Sequence, residues 1–292
     1  MELELWSGDW GLPSVNCHCL QIMALTKFNN AAVKFNFSNN PLRSFCFDLP
    51  VLKHGNKTVI KNVNEMRTFL KLQNFNLDSK LSKKDLSDIS AYTSMVTRKL
   101  EPALLYLWWL DEKNFIDFTR PWYAKHIPIP GNFFIPGKLQ ARAEETVKAL
   151  YDSVDESLLS NLIYSDAQKC MTLLSEKLAE NEYFFGKNPT SFDAIAFGYL
   201  APILKVTFPS SKQLQNHLKA CTNLKLFVER ILSKYFLAEE TPKNKPSEQA
   251  QEPFSDDDFP NKWRDIILSA LFASAAMFSF AFFNGLITVF LQ

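Results

Sequence analysis

Residues 1–37 read MELELWSGDWGLPSVNCHCLQIMALTKFNNAAVKFNF, and this stretch decides how the rest of the chain is interpreted. Leu3 and Leu5 alternate with glutamates, which is typical of a short strand. Residues 14–28 then carry apolar side chains at helical spacing, and Pro13 suits a helix start, where its missing N–H costs least. Residues 32–37 return to alternation. The predicted order is strand, helix, strand.

The next stretch, residues 49–60, reads LPVLKHGNKTVI and predicts two antiparallel strands around a glycine-bearing turn. An amphipathic helix follows, from Val63 to about Leu70. Strand, helix, strand, loop, two strands and helix form an arrangement that resembles the thioredoxin-like fold. In that fold a cis-proline precedes the hairpin, and the resemblance therefore gives Pro50 a structural role.

From about residue 81 the apolar residues recur at helical spacing, and no further strand is predicted. Thr190 and Asp193 have the spacing of a capping box, with Asp in place of Glu, and predict the start of a helix. Pro202 should kink or end that helix. The fold class is therefore α+β, with a thioredoxin-like domain over residues 1–76 and an all-helical domain over residues 77–238.

Residues 239–261 differ in composition, because prolines recur there among acidic, basic and amide side chains. Such a segment buries too little apolar surface to offset its ordering entropy, so it is predicted to be a flexible, acidic and proline-rich tether. It connects the folded part to the last segment of the chain, residues 262–292.

Residues 266–291 contain no Asp, Glu, Lys, Arg or His. As a helix they would extend about 39 Å, enough to cross a hydrocarbon layer of about 30 Å with some tilt. A buried core helix is the alternative, but a terminal helix seldom hides every face. The sequence therefore predicts a tail anchor in membrane lipid. Lys262 and Arg264 on its N-terminal flank predict that the bulk of the chain faces the cytosol. The residues predicted to anchor the chain in lipid are Ile266, Leu271, Phe278, Phe282, Leu286 and Leu291.

Composition excludes several other classes of protein. A net charge of +1 gives no electrostatic case for nucleic-acid binding. The N-terminus has neither a secretory signal nor a matrix-targeting pattern. The five cysteines are scattered and odd in number, so free thiols are expected. Cys17, His18 and Cys19 could suggest a metal site, but no second ligand cluster completes it, and packed residues are the preferred interpretation.

Several runs of sequence resemble known families. The run PTSFDA at residues 189–194, together with the predicted domain order, resembles the glutathione transferase fold. The run WSGDWGLPS at residues 6–14 resembles the opening of the metaxins. The runs TRPWYA at residues 119–124 and NFFIPG at residues 132–137 are also similar to metaxin sequences. The resemblance extends over almost the whole chain and is closest to the tail-anchored metaxins.

The metaxin resemblance implies a location at the mitochondrial outer membrane, facing the cytosol. It also implies a role in protein import and in the assembly of β-barrel precursors by the sorting and assembly machinery. The implied partner is a second metaxin-like subunit. Some metaxins are linked to inner-membrane organising proteins or to organelle transport, which adds further candidate partners.

The transferase resemblance raises the alternative of a membrane-anchored glutathione-dependent enzyme or a vestigial glutathione-binding protein. That chemistry needs a thiol, hydroxyl or phenol near the start of the first helix. Ser7 and Ser14 lie in that neighbourhood, but Leu12 stands where a redox dithiol would need cysteine. Residues 60–64 also lack the acidic residue and serine that usually hold glutathione. A non-catalytic scaffold is therefore favoured, with no catalytic residue, no cofactor and no metal assigned.

The segment from Trp108 to Phe134 is unusually aromatic. Its side chains could dock a partner, because aromatic residues dominate interface anchors. More often such residues fill the space between two domains, and exposure decides between these interpretations. The prolines at positions 128, 130 and 136 make a continuous helix unexpected. The candidate interaction or interdomain residues are Trp122, Tyr123, Phe133 and Phe134.

Overall fold

The computed structural model describes residues 1–44, 48–55, 58–152 and 154–236, together with Ser274. Within these residues, no helix combines the length and apolar character needed to cross a membrane. The predicted span, residues 266–291, lies outside the described part of the chain apart from Ser274, and so does the predicted tether. Met1–Pro242 form one compact unit. The predicted boundary at residue 76, inside this unit, stays a prediction.

Four strands form one small mixed sheet. They are β1 (Glu2–Leu5), β2 (Lys34–Phe37), β3 (Val51–His54) and β4 (Thr58–Ile60), in the spatial order β2-β1-β3-β4. β1 pairs with β2 in parallel, and β3 pairs antiparallel with both β1 and β4. The predicted strand, helix, strand unit and the following hairpin are both present. The Leu49–Pro50 peptide bond is cis.

The first helix, α1 (Cys17–Phe28), starts later than the sequence suggested. The side chain of Asn16 accepts hydrogen bonds from the backbone N–H groups of His18 and Cys19, at 2.9 and 3.1 Å. Asn16 is therefore the N-cap, because it satisfies two of the N–H groups that a helix start leaves unpaired. Pro13 lies before the cap, in the preceding turn, so its predicted place at the helix start was wrong.

The remaining elements among the described residues are helical, as the change of spacing predicted. A 3₁₀ turn at Pro41–Ser44 lies between β2 and β3. The α-helices are α2 (Val63–Leu72), α3 (Lys83–Leu105), α4 (Glu112–Asn114), α5 (Arg120–His126), α6 (Gly131–Tyr151), α7 (Glu156–Leu178), α8 (Ser191–Lys205), α9 (Gln213–Ala220) and α10 (Thr222–Tyr235), with π-helical turns at Tyr106–Leu110 and Phe115–Thr119.

Helix α8 is the centre of the helical half, and every residue from Ser191 to Leu204 is buried. Thr190 and Asp193 form a capping box at its start: the N–H and hydroxyl of Thr190 donate to the Asp193 carboxylate at 2.7 and 2.6 Å. The N–H of Phe184 donates to the other carboxylate oxygen at 2.9 Å. A helix buried on all sides needs such caps, because water cannot reach its terminal N–H groups.

The prolines of the helical half affect the helices differently. Pro202 was expected to kink or end α8, and it does not end the helix, which continues to Lys205. The prolines at positions 128, 130 and 136 were expected to prevent a continuous helix, and the segment is divided between α5 and α6, with Pro128 and Pro130 in the turn between them. Pro136 itself lies within α6. A proline inside a helix removes one backbone hydrogen bond, and burial of the surrounding apolar side chains offsets that loss.

Candidate functional site

The aromatic segment and the N-terminal motif meet in the fold. Nε1 of Trp122 donates to Oδ2 of Asp9 at 2.7 Å, a bond between residues 113 positions apart. Trp10 packs against Trp108, Phe118 and Trp122, with ring centroids 5.7, 4.9 and 5.7 Å away. Two of the three runs that resemble metaxin sequences, residues 6–14 and 119–124, are therefore in direct contact, and they pack together as part of the structural core.

Trp122 and Tyr123 are buried, with 8% and 2% of their surfaces exposed. The Tyr123 ring lies 5.0 Å from Trp6 and 4.9 Å from Trp109, measured between centroids. These two candidate residues thus fill the space between the sheet and the helices. Phe133 is 76% exposed and Phe134 is 38% exposed, so the other two candidate residues lie at the surface.

A cavity of about 120 Å³ lies beside the start of α1, where a transferase-like fold would place its chemistry. It lies between the N-terminal turn of α1, the segment before the cis-proline, and the helices α3 and α6. Small-molecule sites are typically about 300 to 1,000 Å³, so the cavity is small for a substrate the size of a tripeptide. The polar and thiol groups that line it are Asn16, Cys17, His18, Asp48, Glu101, Tyr123, Arg142 and Thr146.

Asp48 is the first charged group of the cavity. Its carboxylate accepts from Nε1 of Trp6 at 3.3 Å and from the N–H of Leu49 at 2.8 Å. Nη1 of Arg142 lies 3.6 Å from the other carboxylate oxygen. Burial raises the pKa of Asp48. The opposing effects are smaller: the pKa is lowered by the Leu49 N–H, by the charges of His18 and Arg142 and by the Trp6 hydrogen bond.

Glu101 is the second carboxylate of the cavity, and its environment lowers its pKa instead of raising it. Nε2 of His18 lies 3.3 Å from one oxygen, and the Tyr199 hydroxyl donates to the other at 2.9 Å. Burial raises the pKa of Glu101, but hydrogen bonds from His18 and Tyr199 and the positive charges of His18 and Arg67 together lower it further, so the pKa lies below its usual range. Each carboxylate of the cavity therefore has a cationic side chain and hydroxyl or N–H donors of the chain itself around it.

Two thiols at the start of α1, Cys17 in the cavity wall and the buried Cys19, are poor nucleophiles. Burial raises the pKa of Cys17 well above its ordinary value, and Glu101 raises it further. Burial also raises the pKa of Cys19, and a backbone hydrogen bond at Trp6 offsets only part of that increase. Since the thiolate is the reactive form, both groups are inert at neutral pH. Burial has the same effect on the phenol of Tyr123.

The serines that sequence reasoning placed near a transferase site are engaged in local structure. Oγ of Ser7 accepts from Nδ2 of Asn39 at 2.8 Å, and the N–H of Ser7 donates to the side-chain oxygen of Asn39 at 2.7 Å. Ser14 is fully buried, and its Oγ accepts from the N–H of Asn16. Both hydroxyls hold the loop before α1 in place.

No group of three or more His, Cys, Asp or Glu side chains among the described residues is arranged to hold a metal ion. Cys17 and Cys19 lie in the first turn of α1, with Cys19 buried and Cys17 partly buried. The start of α1 therefore carries no three-ligand metal group among the described residues, and burial raises the pKa of both of its thiols.

Sequence reasoning missed the charged residues of the cavity, namely Asp48, Glu101 and Arg142. They come from three distant parts of the chain, and no motif connects them. One signal was available: Asp48 stands directly before the Leu49–Pro50 pair that had been singled out, and a charge at that position would lie next to the start of α1.

A second cavity, of about 180 Å³, lies between α1, α2, α3 and α8. Arg67 and Lys71 of α2 line it together with hydroxyl and apolar side chains. Lys71 pairs with Asp78 at 3.2 Å, and Nη1 of Arg67 donates to the side-chain oxygen of Asn64 at 3.0 Å. The guanidinium of Arg67 also donates to Gln21. The contacts with Asp78 and Gln21 hold α2 against its neighbours, whereas the bond to Asn64 lies within α2.

Two family models match the chain. One, Tom37, is described as an outer mitochondrial membrane transport complex protein and matches residues 19–140. The other is described as a glutathione S-transferase C-terminal domain and matches residues 167–231. Solved structures agree on the fold. The β-etherase LigF from Sphingobium sp. strain SYK-6 aligns with a TM-score of 0.52 at 11% identity, covering 82% of this chain and 99% of that one. The glutathione transferase GSTFuA3 from Phanerochaete chrysosporium aligns with a TM-score of 0.53 at 11% identity, covering 79% and 95%.

Whole-length relatives are much more similar in sequence. Metaxin-1 of Macaca fascicularis is 37% identical over 292 residues, covering 99% of this chain and 92% of the relative. Metaxin-3 of Danio rerio is 38% identical over 239 residues, covering 81% and 76%. Identity at this level over most of both chains shows that the chain belongs to the metaxin family.

Proposed function

We propose that this chain is a non-catalytic scaffold of the mitochondrial outer membrane that acts in protein import. Its membership of the metaxin family and its match to an outer mitochondrial membrane transport complex model support this role. We further propose that it pairs with a second metaxin-like subunit within the sorting and assembly machinery and contributes to the assembly of β-barrel precursors.

The observation that carries the non-catalytic part of the proposal is the state of the cavity beside α1. Cys17 in the cavity wall and the buried Cys19 have raised pKa values, and the nearby Ser7 and Ser14 hydroxyls are engaged in the loop. Catalysis of thiol transfer requires an activated nucleophile or a donor that stabilises a thiolate. A fold shared with transferases does not supply one, because function depends on the site and not on the fold.

The proposed attachment to the membrane uses residues 266–291 as a C-terminal helix, with residues 239–261 as the tether. Its support is the uncharged length of the segment and the basic flank at Lys262 and Arg264, which favours a cytosolic location for the bulk of the chain. Deleting residues 266–292 should release the protein from membranes washed with carbonate. External protease should cleave the tether on intact mitochondria and release a compact fragment.

The central experiment is affinity capture of the full chain from mitochondria solubilised in mild detergent, followed by quantitative mass spectrometry. A second metaxin-like subunit should be recovered in constant ratio to the chain, because a stable pair buries on the order of 1,200 to 2,000 Å². Capture of the chain without such a subunit, from mitochondria that contain one, would contradict the pairing.

The alternative is a glutathione-dependent transferase or a vestigial glutathione-binding protein, and the position of the cavity beside α1 is the observation in its favour. Retention on glutathione resin and a thiol-conjugation assay separate the possibilities. The scaffold predicts neither retention nor turnover. Retention without turnover would indicate vestigial binding, and turnover above the uncatalysed rate would show an enzyme.

A further inference from the structure

One stretch of the chain combines positive charge with exposed apolar side chains. Residues 118–143 contain no Asp or Glu, although the chain has 31 of them among its 292 residues, an average that would place about three in this stretch. The stretch contains Arg120, Lys125, Lys138 and Arg142. In a chain whose net charge is only +1, this is a local excess of positive charge.

In the structure this stretch forms a helix, a turn and a second helix. α5 ends at His126, the turn follows, and α6 begins at Gly131. The N–H of Ile127 donates to the carbonyl of Tyr123 at 2.9 Å, and the N–H of Phe133 donates to the carbonyl of Pro130 at 3.3 Å. We call residues 127–134 the α5–α6 tip.

Three apolar side chains of the α5–α6 tip are exposed to solvent. Ile129 is 77% exposed, Phe133 is 76% exposed and Phe134 is 38% exposed. Single exposed apolar residues are ordinary, but three within six positions on one turn form a patch. Such a patch indicates an interaction surface.

The base of the tip is firmly packed, so the exposed side chains are presented by a fixed backbone. Ile127 and Ile135 are 4% and 0% exposed. A Cβ added to Gly131 would lie 2.9 Å from Cδ1 of Ile135 and 3.1 Å from Cγ2 of Ile127. The close packing beneath the turn fixes the positions from which Ile129 and Phe133 project.

Lysines flank the exposed apolar side chains. Lys125 lies in the last turn of α5 and is exposed. Nζ of Lys138, one turn into α6 from Phe134, lies 5.9 Å from the centre of the Phe134 ring. Long basic side chains around an apolar centre are typical of segments that rest on anionic lipid, with the apolar groups at the acyl boundary and the ammonium groups among the phosphates.

We infer that the α5–α6 tip is a second membrane contact of this protein, at which Ile129 and Phe133 enter the interface of an anionic bilayer while Lys125 and Lys138 face its phosphate groups. The inference rests on the proposed location at the outer membrane. It adds an orientation: the tip faces the lipid, and the opposite side of the folded unit faces the cytosol.

Lipid fits this surface better than a protein partner does. The centres of protein interfaces are depleted of lysine, and a stable pair needs on the order of 1,200 to 2,000 Å². Three side chains on one turn fall far short of that area. A bilayer makes no such demand, because its interface accepts a few apolar side chains together with basic neighbours.

The test uses the full chain with an environment-sensitive fluorescent amino acid at position 133. The protein is mixed with one of two vesicle preparations, neutral lipid alone or neutral lipid containing about a quarter anionic phospholipid. The emission should shift to the blue with anionic vesicles and much less with neutral ones. The double variant Lys125→Gln, Lys138→Gln should lower the equilibrium constant for insertion into anionic vesicles about 30-fold, because each lysine contributes about fivefold. The blue shift of the emission should therefore disappear. The control Lys83→Gln with Lys84→Gln, two exposed lysines at the start of α3, should leave it unchanged.

A second labelled protein carries the fluorescent residue at position 226, where Leu226 is 55% exposed on α10, and its emission should not respond to anionic lipid. An equal response at positions 133 and 226, or no response at 133, would overturn the inference. A blue shift at 133 that appears without vesicles and grows with protein concentration would assign the tip to a second copy of the chain and also overturn it. Flotation with neutral vesicles reports the C-terminal anchor separately, so failure of the anchor and failure of the tip are distinguishable.

Discussion

Gly198 of α8 lies directly against Gln21 of α1, so that a Cβ on Gly198 would be 2.2 Å from Cγ of Gln21 and 2.7 Å from the carbonyl oxygen of Cys17. Real Cβ atoms do not approach other atoms so closely, and the carbonyl belongs to a backbone that cannot rotate away. This close approach of α1 and α8 therefore requires glycine at position 198.

Gly198→Ala should lower the free energy of unfolding by about 1 to 3 kcal/mol or more, because the added methyl group forces α1 and α8 apart. Gly137→Ala is the matched control: Gly137 lies in α6 with nothing within 4 Å of its Cβ position, and alanine there should stabilise by about 0.5 to 1 kcal/mol. Urea denaturation of both variants measures the difference. Equal stability of the two variants would show that α1 and α8 can separate without cost.

Replacing the buried pair, Trp122 and Tyr123, should destabilise the fold, whereas replacing the exposed pair, Phe133 and Phe134, should not. Trp122→Ala with Tyr123→Ala removes two buried rings and the bond to Asp9, and a single buried Trp→Ala substitution already costs about 3 to 5 kcal/mol. We expect the double variant to unfold at a much lower temperature or not to fold. Phe133→Ala with Phe134→Ala should keep the wild-type melting temperature. Circular dichroism melting curves measure the stability of both double variants. If the Trp122, Tyr123 variant melted at the wild-type temperature, these two residues would not contribute to the core.

Asp193 and Asp85 each belong to a capping box, at the starts of α8 and α3. The contributions of these two aspartates to stability should change with pH in opposite directions. Burial raises the pKa of Asp193 to about 6, so its folded carboxyl binds a proton more tightly than the unfolded one. Its contribution to stability is complete below about pH 4 and is lost as pH rises to about 6, a change on the order of 3 kcal/mol. Asp193→Asn should therefore cost more at pH 4 than at pH 7.

Asp85, in the exposed capping box of α3, provides the control. A hydrogen bond from Ser82 lowers the pKa of Asp85, so its contribution is present near neutral pH and lost as pH falls. Asp85→Asn should cost less than Asp193→Asn at pH 4, and it should cost more at pH 7 than at about pH 3, below the ordinary aspartate pKa. Urea unfolding of each variant across this pH range gives the two slopes, and parallel slopes would contradict the assigned pKa directions.

The thiol of Cys17 should react slowly although it is only partly buried. Its raised pKa lowers the thiolate fraction at pH 8, about tenfold for each unit of the shift. Alkylation by iodoacetamide, followed by mass spectrometry of the Cys17 peptide, should be at least about tenfold slower than that of a free thiol and should recover in urea. Alkylation at the rate of a free thiol would reopen the possibility of thiol chemistry in the cavity.

Local patterns predicted most of the fold, because strands and helix caps are specified by neighbouring residues. Alternation marked β1 and β2, and the spacing of Thr190 and Asp193 marked the start of α8. Helix α1 starts at Cys17 and not at residue 14, because the side chain of Asn16 satisfies two N–H groups at the helix start. Pro136 lies inside α6 because burial of α6 side chains outweighs the loss of one backbone hydrogen bond.

The cavity could not be predicted from the sequence, because its charges meet only in three dimensions. Asp48 and Arg142 lie 3.6 Å apart in space and 94 positions apart in the chain. The role of each aromatic residue was equally hidden: Trp122 and Phe133 belong to one aromatic run, yet the first is 8% exposed and the second 76%. Burial depends on where α5 and α6 pack, and local spacing carries no information about that.

The contact between Gly198 and Gln21 also has a consequence for biosynthesis. The surface of α1 that α8 covers is made early, and the helix that covers it is made 177 residues later. At about 5 to 20 residues per second, a ribosome needs roughly 9 to 35 s to synthesise the intervening chain. During that interval the surface of α1 that α8 will cover lacks this partner. Chaperones that bind exposed apolar segments are therefore expected to engage the N-terminal part of this protein before translation ends.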